Sequence, residues 1–265
     1  MKKKITSDHE KFIEEGFLEI NKQADDKAFV DVSNKWILES INHKYSYHFS
    51  WMGMPIIQNP QDIIAMQEIL WKVKPDLVIE TGVARGGSLI FFASMLEILS
   101  NCGGSKNATV IGIDIDIREH NRKAIIDHPL SKRINLIEGS SIDPLIISKI
   151  NEKSLGFKNI LVCLDSNHSH EHVLNELKSY APLVSKNSYC IVFDTIVEDL
   201  PSGTIKNRPW DKGNNPKTAI IEFLDLLNCQ KIIANDGDYL KLEIDSMVDK
   251  KLMLTFAPSG YLFRN

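Results

Sequence analysis

Two successive apolar runs of this chain end in acids, and imidazoles crowd behind the first. "ILVCLDSNHSHEHV" ends its run in Asp165, followed by Asn167, His168, His170 and His172. Three histidines within five positions stand out in a chain that holds eight. "CIVFDTIVED" ends the next run in Asp194-Thr195, with Glu198 and Asp199 close behind. If the two runs are neighbouring parallel strands, Asp165 and Asp194 meet at one sheet edge. Two carboxylates there repel unless a cation, a shared proton or hydrogen bonds intervene. A hard oxygen-ligated ion such as Mg²⁺ relieves this, keeps several waters and orients substrate hydroxyls. His168 is then placed to take a proton from a hydroxyl. On a helix, His168 and His172 would share one side, four residues apart, a spacing that also fits a metal pair. The competing account makes Asp165 a helix cap, Asp194 a turn cap and the histidines a solvated face.

A second constellation lies upstream. In "LVIETGVARGGSLIFF" an apolar run ends in Glu80, and Gly82, Gly86 and Gly87 fall within six positions before the next apolar run. Glycines at such a turn permit positive φ and close approach to the backbone. The spacing is neither G-x-G-x-x-G nor a P-loop. An acid directly before the turn disfavours a pyrophosphate and suits a ligand carrying an ammonium group; the alternative is an ordinary strand-to-helix turn with glycines for packing. "VIGIDID" ends another run in Asp114 and Asp116, and Asp114, the first acid past the run, can accept from both hydroxyls of a ribose. "LIEGSSID" places Ser140 and Ser141 after a further run.

These residues need a scaffold that brings strand ends together. From Pro75 onward, apolar runs at Leu77–Ile79, Val110–Ile113, Ile134–Ile137, Ile160–Leu164, Tyr189–Phe193, Lys231–Ala234 and Leu252–Phe256 alternate with segments long enough for helices. Continuous apolarity marks strands covered on both faces, so the expected fold is α/β: a doubly wound, mainly parallel seven-stranded sheet. The last two strands are expected to form a hairpin-like edge with one strand antiparallel. Ahead of the sheet, Phe12 to Ile20 and Val30 to Ile41 read as helices, and Asp62 to Lys72 as a third, with Asn59 as N-cap and Pro60 in its first turn. The expected division is residues 1–58, a helical extension ending in an aromatic lid loop, and residues 59–265, the main domain.

With 265 residues, 43% hydrophobic, and a formal charge of −4, the chain fits one large domain with decorations. It lacks the basic excess of a nucleic-acid binder. Met1–Lys4 is basic without an apolar core behind it, unlike a signal peptide. No stretch approaches the roughly 18 apolar residues of a membrane span. Cys102, Cys163, Cys190 and Cys229 lack CxxC spacing, and Cys163 and Cys190 sit in strand-like runs, so reduced thiols and a cytoplasmic location are expected.

The arrangement Glu80-x-Gly82-x-Ala84-x-Gly86-Gly87-Ser88 resembles motif I of class I S-adenosyl-L-methionine (SAM)-dependent methyltransferases. Together with "YSYHFSWMGMPIIQNP", "DSNHSHEHVLNELKSYAPLV" and "RPWDKGNNPKTAIIEFL", it resembles the cephalosporin hydroxylase / rhamnosyl O-methyltransferase family over roughly residues 45 to 265. The resemblance implies a Rossmann-like fold and methylation of a hydroxyl on a sugar, sugar nucleotide or similar small acceptor, in surface-polysaccharide or secondary-metabolite biosynthesis. It implies SAM at Glu80, Gly82, Ala84, Gly86, Ser88, Asp114, Ser140, Ser141 and Asp165, with Ser140 and Ser141 beside the adenine. It further implies His168 and Asp165 as catalytic residues. Mg²⁺ is implied at Asp165, Asp194 and Thr195, although Thr195 stands where relatives carry an acid or amide, leaving Glu198 as a substitute ligand. Trp51, as part of a lid, and His170, Arg208 and Trp210 are expected at the acceptor; aromatic and amide groups suit a sugar and Arg208 a phosphate. Both tryptophans are equally compatible with anchoring loops to the core. The hydroxylase in the family name points to a rival, a non-haem metal oxidoreductase using Asp165, His168 and His170. Partners are expected to be small molecules, with no nucleic acid and no membrane span, and the chain is compatible with a homo-oligomer.

Overall fold

Five of the apolar runs pair in parallel in the computed structural model, which describes residues 7–265; the basic Met1–Lys4 lies outside the described residues. Helices α1 (Asp8–Asp25) and α2 (Lys27–Asn42) lead into a hairpin, β1 (Phe49–Trp51) and β2 (Met54–Ile56). Then come α3 (Pro60–Val73), β3 (Leu77–Thr81), α4 (Gly87–Ser100), β4 (Thr109–Asp114), α5 (Glu119–Asp127) and β5 (Ile134–Glu138). The chain continues through α6 (Pro144–Ser154), β6 (Ile160–Leu164), α7 (His170–Tyr180), β7 (Tyr189–Val192) and α8 (Pro216–Cys229). It closes with β8 (Leu242–Ile244), α9 (Ser246–Lys251) and β9 (Tyr261–Arg264).

The seven-stranded sheet runs β5-β4-β3-β6-β7-β9-β8, with β9 antiparallel to both its neighbours. Side chains alternate along each strand, so Val78 joins one core with α3 and α4 while Leu77 and Ile79 join another with α7 and α8. Every residue of β3, β6 and β7 is buried, as the continuous apolarity requires. In α4, Leu89, Phe91, Phe92 and Leu96 have no exposed surface, each contributing on the order of 2 kcal/mol by leaving water. That helix is fixed to the strand ends it must serve.

The two C-terminal strands fall elsewhere than the runs at Lys231–Ala234 and Leu252–Phe256. The first run makes only an isolated bridge, Ile233 with Tyr239. The second is held as a loop by side chains of α3: Gln61 accepts from the Leu254 N–H, and Asp62 accepts from the Phe256 N–H and the Thr255 hydroxyl. Asn59 starts α3 through its carbonyl, which accepts from Asp62 and Ile63, but its side chain does not cap. It donates instead to the Leu254 carbonyl, tying the helix start to the same loop.

The hairpin turns through Met52 and Gly53, both at positive φ, the conformation a tight two-residue hairpin turn requires. Met54 and Ile56 share the core of α3 and α4. Cys163 and Cys190 are buried and free, Cys102 and Cys229 exposed and free. No helix among the described residues is long and apolar enough to cross a membrane.

Candidate functional site

Strand order reverses between β3 and β6, and in open α/β sheets the crevice beyond the carboxyl ends at such a point takes ligands. Here a cleft opens there, walled by Pro55 and Gln58 from the segment after β1, the turn Gly82–Ser88, and Asp165. Glu80, one residue before the end of β3, has only 1% of its surface exposed. Its Oε2 accepts from the Ser88 hydroxyl at 2.9 Å, while Oε1 has no partner. Burial pushes the carboxyl up to about 8, with the Asp114 carboxylate adding to the rise and the Ser88 hydrogen bond opposing it. A buried, half-satisfied carboxylate behind a cleft wall is matched by a cationic N–H donor. The acid and turn therefore fit the ammonium group of an amino acid.

The glycines of the turn are required mainly by the chain itself. A Cβ on Gly82 would lie 2.0 Å from the Asp165 carbonyl oxygen, and one on Gly87 would lie 2.2 Å from the Pro55 oxygen. Gly86, at φ +85°, is the left-handed N-cap of α4, and a Cβ there would press on Ile125. Close packing thus accounts for the glycines, and the ligand-facing wall is their peptide backbone. Ala84 takes a left-handed conformation without being glycine. It is held from both sides: its N–H, like that of Val83, donates to Asp114 Oδ2, and its carbonyl accepts from Asn121. Asp114 thus fastens the turn, and a carboxylate has about four acceptor sites, leaving room for one ribose hydroxyl, rather than both, beside the three backbone N–H groups it accepts.

The second half of the site lies one and two strands on. β6 and β7 pair in register, Leu164 opposite Val192, so the acids just past them meet. One ligand atom each from Asp165, His168 and Asp194 lies within 4.8 Å of the other two. Asp194 sits at φ 55°, a left-handed backbone that Asp tolerates at a cost of roughly 1 kcal/mol. The Asn167 side chain accepts from the Ser169 N–H and hydroxyl, an Asx turn that holds the β6 exit clear of α7. His168 Nε2 lies 3.2 Å from Asp194 Oδ2, and the Trp210 ring meets the imidazole edge-on at 4.9 Å between centroids. Burial, then the carboxylates of Asp194, Glu80, Glu176 and Asp62, push the Asp165 carboxyl well above its ordinary range. Such a concentration of acids calls for positive charge. Two carboxylates with one imidazole suit a divalent cation.

Several expected residues are turned elsewhere. The Thr195 hydroxyl is buried and its proton is committed to the Pro258 carbonyl at 2.7 Å. Glu198 does not replace it: its Oε2 accepts from the Gly213 N–H and from Asn215 Nδ2. His170 opens α7 and faces α8, with Nδ1 2.8 Å from the Thr218 hydroxyl and Nε2 2.9 Å from Glu222. It lies outside the Asp165–His168–Asp194 group, so the Asp165–His168–His170 set is not assembled among the described residues. His172 does not pair with His168, because the helix begins only at His170; it joins Ser141, Ser166 and Glu176 instead. Trp51 donates to Ser94 at 2.9 Å and packs edge-on against Phe91. It anchors the hairpin to α4. Ser140 and Ser141 follow β5, and the Ser141 carbonyl accepts from the buried Tyr180 hydroxyl. Arg208 stacks over Trp210 at 5.2 Å.

Two site neighbours had no chemical signature in sequence. Gln58 donates to Asp165 Oδ2 at 2.8 Å; only its position between the hairpin and a helix start hinted at a role. Asp62, wholly buried and pushed up to about 6 by burial, also accepts from the Tyr261 hydroxyl. Helical periodicity marks it merely as a first-turn acid.

The strand order, the acid-and-glycine turn at the reversal point and the acid ending the adjacent β4 define a class I methyltransferase fold. Within it, the family model described as rhamnosyl O-methyltransferase/CmcI matches residues 43–265, and the chain belongs to that family. A rhamnosyl O-methyltransferase of Mycobacterium tuberculosis (strain ATCC 25618 / H37Rv) is 30% identical over 220 residues, covering 82% of this chain and 78% of its own. That of Mycobacterium leprae (strain TN) is 30% identical over 216 residues, covering 81% and 82%. A solved CmcI structure with Mg and SAM superposes at a TM-score of 0.54 with 19% identity, over 83% of this chain and 77% of that one. That likeness supports the fold.

Proposed function

We propose that this protein transfers the methyl group of SAM to a hydroxyl of a saccharide or similar small acceptor, of the kind built into surface polysaccharides or secondary metabolites, with Asp165 and Asp194 holding Mg²⁺. The O-methyltransferase class comes with the family. The names of the mycobacterial relatives support a sugar acceptor, and the CmcI structure, whose fold this chain shares, holds Mg and SAM. One observation carries the reading: Asp165 both lines the cleft beside the glycine turn and belongs to the Asp165–His168–Asp194 group. Donor cradle and acid–base group are therefore two walls of one site.

In this reading the turn and Glu80 bind the amino-acid end of the donor, Asp114 its ribose, and Ser140 and Ser141 flank its base. When bound, the donor supplies the electrophilic methyl group and the cation supplies charge that holds the acceptor oxygen. His168 takes the hydroxyl proton, and Asp194, 3.2 Å away, stabilises the imidazolium that results. A hard cation prefers oxygen ligands, which leaves the imidazole free for that task. Residues 49–58 close the cleft from above through Pro55 and Gln58, and the buried thiols of Cys163 and Cys190 suit a cytoplasmic setting.

Calorimetric titration with S-adenosylhomocysteine and a mass-spectrometric screen of sugars and nucleotide sugars incubated with SAM test the reading together. Binding of the donor product, and one acceptor gaining the mass of a methylene, are expected. A protein that binds neither SAM nor its product is not the enzyme described here.

A further inference from the structure

We propose, resting on the methyltransfer reading above, that the acceptor is anionic: a hexose bearing a phosphate or a carboxylate, with its charge at Arg208 and its reacting hydroxyl at His168. The loop between Leu200 and Asn215 supplies the argument. Its cations and acids are treated differently. Each acid in or beside it is engaged by the protein's own donors. Glu198 accepts from the Gly213 N–H at 2.7 Å and Asn215 Nδ2 at 2.5 Å. Asp211 accepts from the Ser202 hydroxyl at 2.8 Å and the Gly203 N–H at 2.9 Å, and Asp199 pairs with Lys217 at 2.7 Å. The exposed cations Lys206, Arg208 and Lys212, by contrast, have no carboxylate at ion-pair distance among the described residues.

Solvated lysines on a loop would mean little alone. Trp210 is what joins this charge to the reaction centre. The Arg208 guanidinium lies 5.2 Å from the centroid of the indole, whose ring meets His168 at 4.9 Å and 89°. Guanidinium and imidazole are thus no further apart than those two distances laid end to end, a span that one hexose and an attached anionic group cover. Stacking on an indole leaves the guanidinium's N–H edge available, and that edge fits the oxygens of phosphate or carboxylate two at a time. In a chain of net charge −4 with an acid-rich centre, a neutral sugar would need no such cluster beside the base.

Calorimetry on the protein saturated with S-adenosylhomocysteine tests this with four probes: pyrophosphate, glucose 1-phosphate, glucuronate and glucose. At least one anionic probe is expected to bind tenfold or more tightly than glucose. Arg208→Gln should weaken that binding at least tenfold. Arg208→Lys, which keeps the charge without the planar fork, should fall between. Tighter binding of the phosphates assigns a phosphorylated sugar; tighter binding of glucuronate assigns a sugar acid. The proposal is overturned if no anion binds better than glucose, or if Arg208→Gln binds as the parent does. Should the parent fail to bind S-adenosylhomocysteine before any probe is added, the methyltransfer reading falls first and this inference with it.

Discussion

In the proposed reading, the donor side and the acceptor side of the site are built by opposite means. On the donor side, Gly82 and Gly87 have no room for a Cβ, and Asp114 and Asn121 fasten the turn through its backbone. On the acceptor side, Gly203 and Gly213 have nothing within 4 Å of the place a Cβ would take, and the loop is held by a few side-chain clasps on Glu198 and Asp211. A cradle made of interlocked peptide groups can serve one ligand well and tolerates little change. A loop with open space around it can change its side chains without disturbing the sheet. The site therefore combines a fixed donor half with an adjustable acceptor half, and the residues joining them, Asp165, His168 and Asp194, belong to the strand exits rather than to either loop.

The strongest break in this scheme is at the junction. His168→Ala should lower kcat by about 10²–10⁴-fold, the range a positioned general base contributes, with the dissociation constant for S-adenosylhomocysteine unchanged by calorimetry. If turnover survives, the base lies elsewhere. Gly82→Ala comes next. Its Cβ would enter the Asp165 carbonyl, so β6 must move; the cost is roughly 3 kcal/mol in a urea melt, and donor binding should be lost in whatever protein folds. Asp194→Asn removes one candidate ligand. The Mg²⁺ concentration for half-maximal rate should rise by at least about tenfold, since losing a mere outer-shell partner commonly costs that much. EDTA should silence the parent enzyme and added Mg²⁺ restore it; full activity in chelator would remove the cation from the mechanism.

The fixed half was far more legible in sequence than the adjustable one. Strands β3, β4, β6 and β7 appear within a residue or two of their apolar runs because burial on both faces leaves a signal in composition alone, and the pairing of Asp165 with Asp194 followed from adjacency at strand ends. The antiparallel C-terminal strands were not placed by apolarity alone. The run at Leu252–Phe256 looks like a strand but is held out of the sheet by Gln61 and Asp62, and Tyr261–Arg264 pairs with β7 in its place. Tertiary partners, absent from a local reading, decided between them. The histidines show the same limit more sharply. Spacing could not separate His168 from His170 and His172, because their directions depend on where α7 begins, and the Asn167 turn sets that at His170.

A subtler effect probes the donor half through Glu80. Its carboxyl is pushed up to about 8 from an ordinary value of 4.5, so the ligand-free protein holds a proton there at neutral pH, whereas an ammonium group needs the carboxylate. Affinity for SAM should rise towards pH 8 by up to about tenfold per pH unit and then level. Near pH 7, binding should release a proton, seen as a heat that varies with the ionisation enthalpy of the buffer. The same shift lowers stability as pH rises: the folded chain retains a proton that the unfolded chain has released, so this contribution is present in full below 4.5 and is lost through 8. Glu80→Gln should flatten both dependences; a pH profile unchanged by that substitution would place the titrating group elsewhere.

The smallest expected effect completes the contrast. Gly213 sits at φ +83° with open space around it, so Gly213→Ala carries only the backbone penalty of a left-handed alanine, roughly 1 kcal/mol. The Gly213 N–H donates to Glu198 and the Asp211–Asn214 pair closes the turn around it, so relaxation is confined to that small exposed turn. Donor affinity should not move, since no part of the glycine turn or of Asp114 leans on this loop among the described contacts. KM for the acceptor should shift by a few-fold at most, through the position of Trp210 against His168. A Gly213→Ala protein that lost donor binding as Gly82→Ala does would show that the two halves are mechanically one, and the division between a fixed and an adjustable wall would have to be given up.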